Sequence, residues 1–331
     1  MKILILRFSS IGDIVLTTPL IRCLKKQHPE YEIHYATKDA YKSILTTNPY
    51  LSKVHTLKND LNDLVKELSV EKFDFVIDLH HNIRTQILKM RLRVKSEAVN
   101  KLNFEKWLLT QFKIDKLPKY NHIVDRYLYT VRSFGVINDN EGLDYFIPPE
   151  DQVNIKARYP ELTDEFIAIA IGAKYLTKRL PYAKIVDICN QLELPIVLLG
   201  GLDDLARGEE IIHKSTNGKI VNACGKLNLN QSASMVSQAK IVVTHDTGLM
   251  HIAAAFRKDI VSIWGNTVPE LGMYPYMPGK EFRVIQVEGL ECRPCSKIGY
   301  KKCPKGHFDC MQKIDTKQVL NEIDYYLKPV L

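Results

Sequence analysis

The apolar positions of this chain fall into short buried runs separated by amphipathic stretches. Met1 to Leu6 is apolar apart from Lys2, Ser9-Ser10-Ile11-Gly12-Asp13 has turn and helix-start chemistry, and Ile14 to Lys26 carries apolar residues at helical spacing. This is a strand-loop-helix unit. Similar units follow: Glu32 to Ala36 with a helix through Ile44, Phe73 to Leu79 with a helix from about Asn82, and a further helix over Asp125 to Phe134. Strands alternating with helices predict a parallel α/β sheet.

After Gly135 the chain turns polar and reaches Ile147-Pro148-Pro149-Glu150, where two prolines remove backbone donors and favour an extended connection. The linker is expected near 145–160. The pattern then restarts with Phe166 to Ile171, Ile196 to Leu199, Ile220 to Ala223, Ile241 to Thr244 and Ile260 to Trp264, runs rich in Val and Ile that read as buried parallel strands. Thr316 to Leu327 has helical spacing. The expectation is two Rossmann-like domains, 1–155 and 156–331, with the final helix free to pack back on the first domain.

Composition changes this picture little: 331 residues, 45% hydrophobic and 25% charged, is ordinary for a globular protein. No apolar run approaches the roughly 20 residues of a spanning helix. Arg7 and Asp13 interrupt the apolar start before a signal-peptide core forms, so a cytoplasmic protein is expected. Charge changes it more. Of the formal +8, the stretch from Lys89 to Lys119 carries +6, with nine Lys or Arg against Glu97, Glu105 and Asp115. Interleaved with Phe104, Trp107 and Phe112, it suits an anionic membrane surface, a phosphorylated acceptor or nucleic acid, or is simply a solvated helical face.

In open α/β sheets ligands bind beyond the carboxyl ends of strands, so the loops after strands are the candidate sites. Asp13 in the first loop is either a general base or a helix cap, with Ser10 and Gly12 leaving room for a second molecule to approach. In the second half, Val243 to His251 feeds a buried strand into a helix whose first-turn amides suit a diphosphate, lined by Asp246, Thr247 and Gly248. His251 lies one turn further, facing the same site or satisfied in the core. The loop Gly172 to Pro181 offers Lys178 or Arg179 to a leaving phosphate. In Gly200-Gly201-Leu202-Asp203-Asp204, Gly201 and Asp203 form either a ribose-binding edge or a plain turn. There is no G-x-G-x-x-G, no G-x-x-x-x-G-K-[ST] and no D-x-D pair for a metal-bound diphosphate.

Arg7-Phe-Ser-Ser-Ile-Gly-Asp-Ile-Val-Leu-Thr-Thr-Pro19 together with Val243-Thr-His-Asp-Thr-Gly-Leu-Met-His-Ile-Ala-Ala-Ala255 resembles glycosyltransferase family 9, the heptosyltransferase-like enzymes. The likeness extends through Lys178-Arg-Leu-Pro181, the Gly200-Gly201 turn, Gly225 to Leu229 and Gly265 to Pro269. It implies a GT-B type fold and inverting transfer without a metal or other cofactor. By motif, Asp13 would deprotonate the acceptor, with Ser10, Gly12 and Arg84 on the acceptor side. Lys178 would contact donor phosphates, and Asp246, Thr247, Gly248, His251, Gly201 and Asp203 would surround the donor.

The implied partners are a nucleotide sugar, an ADP-linked heptose, and a lipid-linked anionic lipopolysaccharide-core saccharide, with peripheral contact at the inner membrane face. Another surface-polysaccharide sugar is the alternative, since Leu180 and His245 depart from the family's usual Lys-x-Trp-Pro and Asn-Asp or Val-Asp. No nucleic acid is expected, although a non-catalytic nucleic-acid-binding module is the reading from a different class. Cys292, Cys295, Cys303 and Cys310, with His307 among them, have spacing that either holds a structural zinc or leaves reduced thiols.

Overall fold

The computed structural model describes residues 1–119, 122–162 and 165–328. The chain forms two compact units: residues 1–102 with 119–146, and residues 103–118 with 147–331.

The first unit is built on a five-stranded sheet of order β3-β2-β1-β4-β5, with β1 at Lys2–Leu6, β2 at Glu32–Lys38, β3 at Lys53–Leu57, β4 at Phe75–Asp78 and β5 at Lys95–Ala98. Every pairing is parallel. Parallel strands need crossovers, and the helices Thr18–Gln27, Leu61–Val70 and Ile83–Leu92 supply them. Ile3, Leu4, Ile5 and Leu6 of β1 are all fully buried, as a strand covered on both faces requires. Pro19 in the first turn of Thr18–Gln27 costs nothing, because that amide has no helical partner. Asp60 and Asn82 cap the other two helices through their side chains.

The second unit holds a six-stranded parallel sheet of order β11-β10-β9-β6-β7-β8, with β6 at Ile167–Ala170, β7 at Ile196–Leu199, β8 at Ile220–Asn222, β9 at Ile241–His245, β10 at Asp259–Trp264 and β11 at Arg283–Gln286. Its core runs from Ile169 and Leu198 through Val243 and Ile263 to Val319 and Ile323, so the last helix, Thr316–Leu327, is packed into this unit. The helix Asn103–Phe112 also belongs here: Leu109 packs with Val268 and Leu271, and Leu117 leans on them.

In each sheet the strand order reverses once. The reversal lies between β1 and β4 in the first unit, and between β6 and β9 in the second. Loops on either side of such a point diverge and leave a crevice. No described helix is long and apolar enough to cross a membrane.

Candidate functional site

Asp13 sits at the reversal point of the first sheet, just beyond the end of β1. It occupies the third position of the short helix Ile11–Val15, where its Oδ2 accepts from the Ser10 amide at 3.0 Å and the Ser10 hydroxyl at 2.8 Å. Its Oδ1 lies 2.5 Å from the Arg7 guanidinium. The carboxylate therefore does cap its helix, yet it remains 23% exposed and keeps a face for a ligand. Gly12 is buried, Ser10 is exposed, and the Ser9–Ser10 peptide is cis.

Arg7 is the anchor of this loop, and it was not among the expected site residues. Its Nε donates to the Ser9 carbonyl at 2.8 Å and another guanidinium nitrogen donates to the Leu79 carbonyl, past the end of β4, at 2.6 Å. Burial opposes the guanidinium charge, but the neighbouring Asp13 more than compensates and holds its pKa above the ordinary value.

His80, in the loop after β4, is a second addition. Burial, then Arg7 and Lys101, push its pKa down to about 4, so the ring is neutral at physiological pH. Its buried Nδ1 has no hydrogen-bond partner among the described residues. Arg84 stands exposed in the first turn of Ile83–Leu92, after the same strand.

In the second unit three neighbouring strand ends converge on Asp246. Lys178, after β6, places its ammonium 2.5 Å from Asp246 Oδ2 and 3.3 Å from the Asp246 carbonyl. Thr267, after β10, donates its hydroxyl to the same Oδ2 at 2.8 Å. Thr247 caps the helix Gly248–Ala255 without using its hydroxyl on the first-turn amides, which therefore stay available to an anion. Gly248 opens that helix, and His251 is buried one turn on.

Asn266, beside Thr267, is buried with neither side-chain nitrogen nor oxygen paired among the described residues. An orphaned buried amide is costly, and at a ligand site the cost is recovered on binding. Gly265 before it is required by packing: an added Cβ would meet the Thr177 carbonyl at 2.6 Å.

In the turn after β7 the inward carboxylate is Asp204 rather than Asp203. Asp204 Oδ2 accepts from the Gly201 amide at 3.0 Å and its Oδ1 pairs with Arg179 at 3.2 Å, whereas Gly201 and Asp203 are exposed. Of the two cations offered to a phosphate, Arg179 is thus engaged in holding the turn and Lys178 faces Asp246. His245 accepts from the Leu180 amide at 2.9 Å through Nε2, and burial pushes its pKa down to about 3. The two departures from the family pattern, Leu180 and His245, hydrogen-bond to each other inside the protein.

The cysteine-rich segment braces this site. Thr177 and Tyr300 share three bonds, Thr177 N and Thr177 Oγ1 donating to Tyr300 O at 3.2 and 3.1 Å and Tyr300 N donating to Thr177 Oγ1 at 2.8 Å, and the Cys295 amide donates to the Asn266 carbonyl at 3.2 Å. Cys292, Cys295, Cys303 and Cys310 are all free thiols, and burial pushes Cys310 up to about 12. Among the described residues the set of three donors within 4.8 Å of one another is His34, His55 and Glu71, in the first unit, and not the cysteines.

The model of glycosyltransferase family 9 (heptosyltransferase) matches residues 61–303. Lipooligosaccharide heptosyltransferase 2 of Haemophilus influenzae is 26% identical over 327 residues, covering 90% of this chain and 93% of the relative. The solved family 9 glycosyltransferase of Veillonella parvula superposes with a TM-score of 0.80 at 23% identity, covering 98% of this chain and 97% of that one. The E. coli heptosyltransferase WaaC with ADP superposes with a TM-score of 0.70 at 19% identity, covering 98% and 100%. The two parallel α/β units are those of the GT-B type expected from sequence, and the chain belongs to glycosyltransferase family 9, the heptosyltransferases.

Proposed function

We propose that this glycosyltransferase moves a heptose-type sugar from an ADP-linked donor to an anionic lipopolysaccharide-core saccharide, with inversion and without a catalytic metal. The observation that carries the reading is the Lys178–Asp246–Thr267 constellation at the amino end of Gly248–Ala255, which sets an ammonium and uncapped first-turn amides at one spot. Several relatives bear the names of lipopolysaccharide or lipooligosaccharide heptosyltransferases, which favours this donor over other surface-polysaccharide sugars.

In this scheme Asp13 takes the proton of the acceptor hydroxyl as its oxygen forms a bond to the anomeric carbon. The bond from that carbon to the diphosphate breaks on the opposite face, so the configuration inverts. Arg7 holds the Asp13 carboxylate in one orientation. The leaving diphosphate collects negative charge, and Lys178 with the first-turn amides of Gly248–Ala255 stabilises it in place of a divalent cation. The Asn266 amide supplies a further donor and acceptor on this side. Ser10, Gly12 and Arg84 serve the acceptor, and Gly201 and Asp203 the nucleoside.

The membrane contact rests on Asn103–Phe112. Phe104, Trp107, Phe112 and nearby Ile114 are exposed, Phe104 stacks on Trp107 with centroids 6.0 Å apart, Trp107 meets Phe112 edge-on at 5.1 Å, and Lys116 and Lys119 flank them exposed. Aromatic rings beside lysines suit an interface with anionic headgroups.

The test is transfer from ADP-heptose to core acceptor by wild type and Asp13→Asn, with ADP binding measured on both. Transfer lost with ADP binding kept supports the scheme. A wild type that neither binds ADP nor transfers overturns the donor assignment.

A further inference from the structure

His34 and His55 face each other on one side of the first sheet. They lie on neighbouring strands β2 and β3, and both are fully buried, at 1% and 0% exposure. His34 Nδ1 stands 2.9 Å from His55 Nε2. Each ring turns its other nitrogen to a carboxylate: His34 Nε2 to Glu32 Oε1 at 2.8 Å, and His55 Nδ1 to Glu67 Oε1 at 2.5 Å. Glu32 and Glu67 are about half exposed, at 49% and 46%, and an ionised carboxylate can only accept. Both outer nitrogens must therefore carry hydrogen.

The two inner nitrogens then present lone pairs to each other at 2.9 Å. Such an arrangement is repulsive unless a positive centre sits between them. Glu71, at the end of the helix Leu61–Val70, brings its carboxylate to 4.0 Å from each inner nitrogen. The Phe73 ring meets both imidazoles edge-on, with centroids at 5.2 and 6.2 Å, and fixes their planes.

We propose that His34, His55 and Glu71 form a binding site for a late first-row divalent cation, of which zinc is the natural occupant. Imidazole nitrogens with one carboxylate are the donor set such ions take, and an outer N–H donated to a carboxylate is the usual support of a metal-bound histidine. Zinc–ligand bonds of about 2.0–2.2 Å in a tetrahedron separate ligand atoms by about 3.3 Å. The two nitrogens reach this by opening slightly, and Glu71 by closing in.

Glu71 is held meanwhile by Lys2 at 2.9 Å and Lys53 at 2.6 Å. Lys53 is half exposed and swings away at little cost, leaving the fourth position to water. The ion ties β2, β3 and the segment after Leu61–Val70 together. It lies away from the strand ends that carry Asp13, so its role is structural and independent of the transfer chemistry proposed above.

The test uses the full chain, stripped with a chelator and titrated with cobalt(II) while visible absorption and the melting midpoint are followed. The expected result is one equivalent bound with d–d bands, a raised midpoint, and no thiolate-to-metal charge transfer. His55→Gln abolishes both signals, and Glu71→Gln abolishes or sharply weakens them. Glu67→Gln, which touches no metal, weakens binding by about 10–100-fold. Cys295→Ser leaves them unchanged, separating this site from the cysteine segment. Should His55→Gln fail to fold, Glu71→Gln and Glu67→Gln, at more exposed positions, decide alone. Absence of cobalt binding, or binding equal in wild type and the histidine or glutamate variants, overturns the proposal and leaves the two rings sharing a proton.

Discussion

The Lys178 ammonium and the Asp246 carboxylate stand 2.5 Å apart across the point where the second sheet reverses its strand order. Neither is exposed enough to be an ordinary surface pair, with side chains at 15% and 10%. The pair is formally neutral, and the ammonium is held in place beside the first-turn amides of Gly248–Ala255, where a phosphate can share it with the carboxylate. Lys178→Ala is expected to lower the transfer rate by about 10²–10³-fold and to weaken ADP binding, with the KM for acceptor little changed. Steady-state kinetics with calorimetric ADP titration checks both parts.

Asp13→Asn keeps the shape of the loop and removes the base. Loss of a general base costs about 10²–10⁴-fold in rate, so transfer falls by that much while ADP affinity stays near wild type and the melting midpoint drops, because the buried Arg7 guanidinium loses its counter-charge. A variant that transfers at the wild-type rate removes Asp13 from the mechanism.

Arg22 carries a stability prediction with a definite pH sign. Its guanidinium makes two 2.8 Å bonds to Asp139, and these hold the Asp139 carboxyl down at about 2, below its ordinary 3.8. A lowered carboxyl contributes stability that is complete above the ordinary value and is lost as pH falls through the folded one. Asp139→Asn is expected to cost about 1–2 kcal/mol at neutral pH, after allowance for screening. The difference from wild type should shrink between about pH 4 and pH 2. Urea unfolding across that window measures it.

Trp107→Ala with Phe112→Ala is expected to reduce sedimentation with anionic liposomes several-fold without altering ADP binding. Added salt should weaken what remains, because the lysine part of the attraction is screened. Liposome binding equal in wild type and variant would remove this helix from the membrane contact.

The interior of both sheets was legible because interior strands are covered on both faces and must be apolar throughout. Ile3 to Leu6, Ile167 to Ala170 and Ile241 to Val243 announce themselves in this way. The strands that the periodicity did not reveal are β3 (Lys-Val-His-Thr-Leu), β5 (Lys-Ser-Glu-Ala) and β11 (Arg-Val-Ile-Gln), and all three are sheet edges. Edges are short and charged, which blunts them against further pairing and erases the apolar run. Asp13, Lys178 and Asp246 were readable from local motifs. Arg7, His80, Asp204 and Asn266 were not, since their importance depends on which loops become neighbours. Arg7 matters because Leu79, distant in sequence, ends the adjacent strand.

The helix Asn103–Phe112 alters what a domain means in this chain. Leaving the first unit after Leu102, lending a helix to the second, and returning at Lys119, the backbone passes from one unit to the other three times. A cut near the Ile147-Pro148-Pro149 connection therefore does not yield two self-sufficient fragments: the carboxyl-terminal piece would lack Leu109 and Leu117 and bare Val268 and Leu271, next to Thr267. Co-expression of the halves, in which the amino-terminal fragment brings the missing helix, is the form of dissection this fold permits.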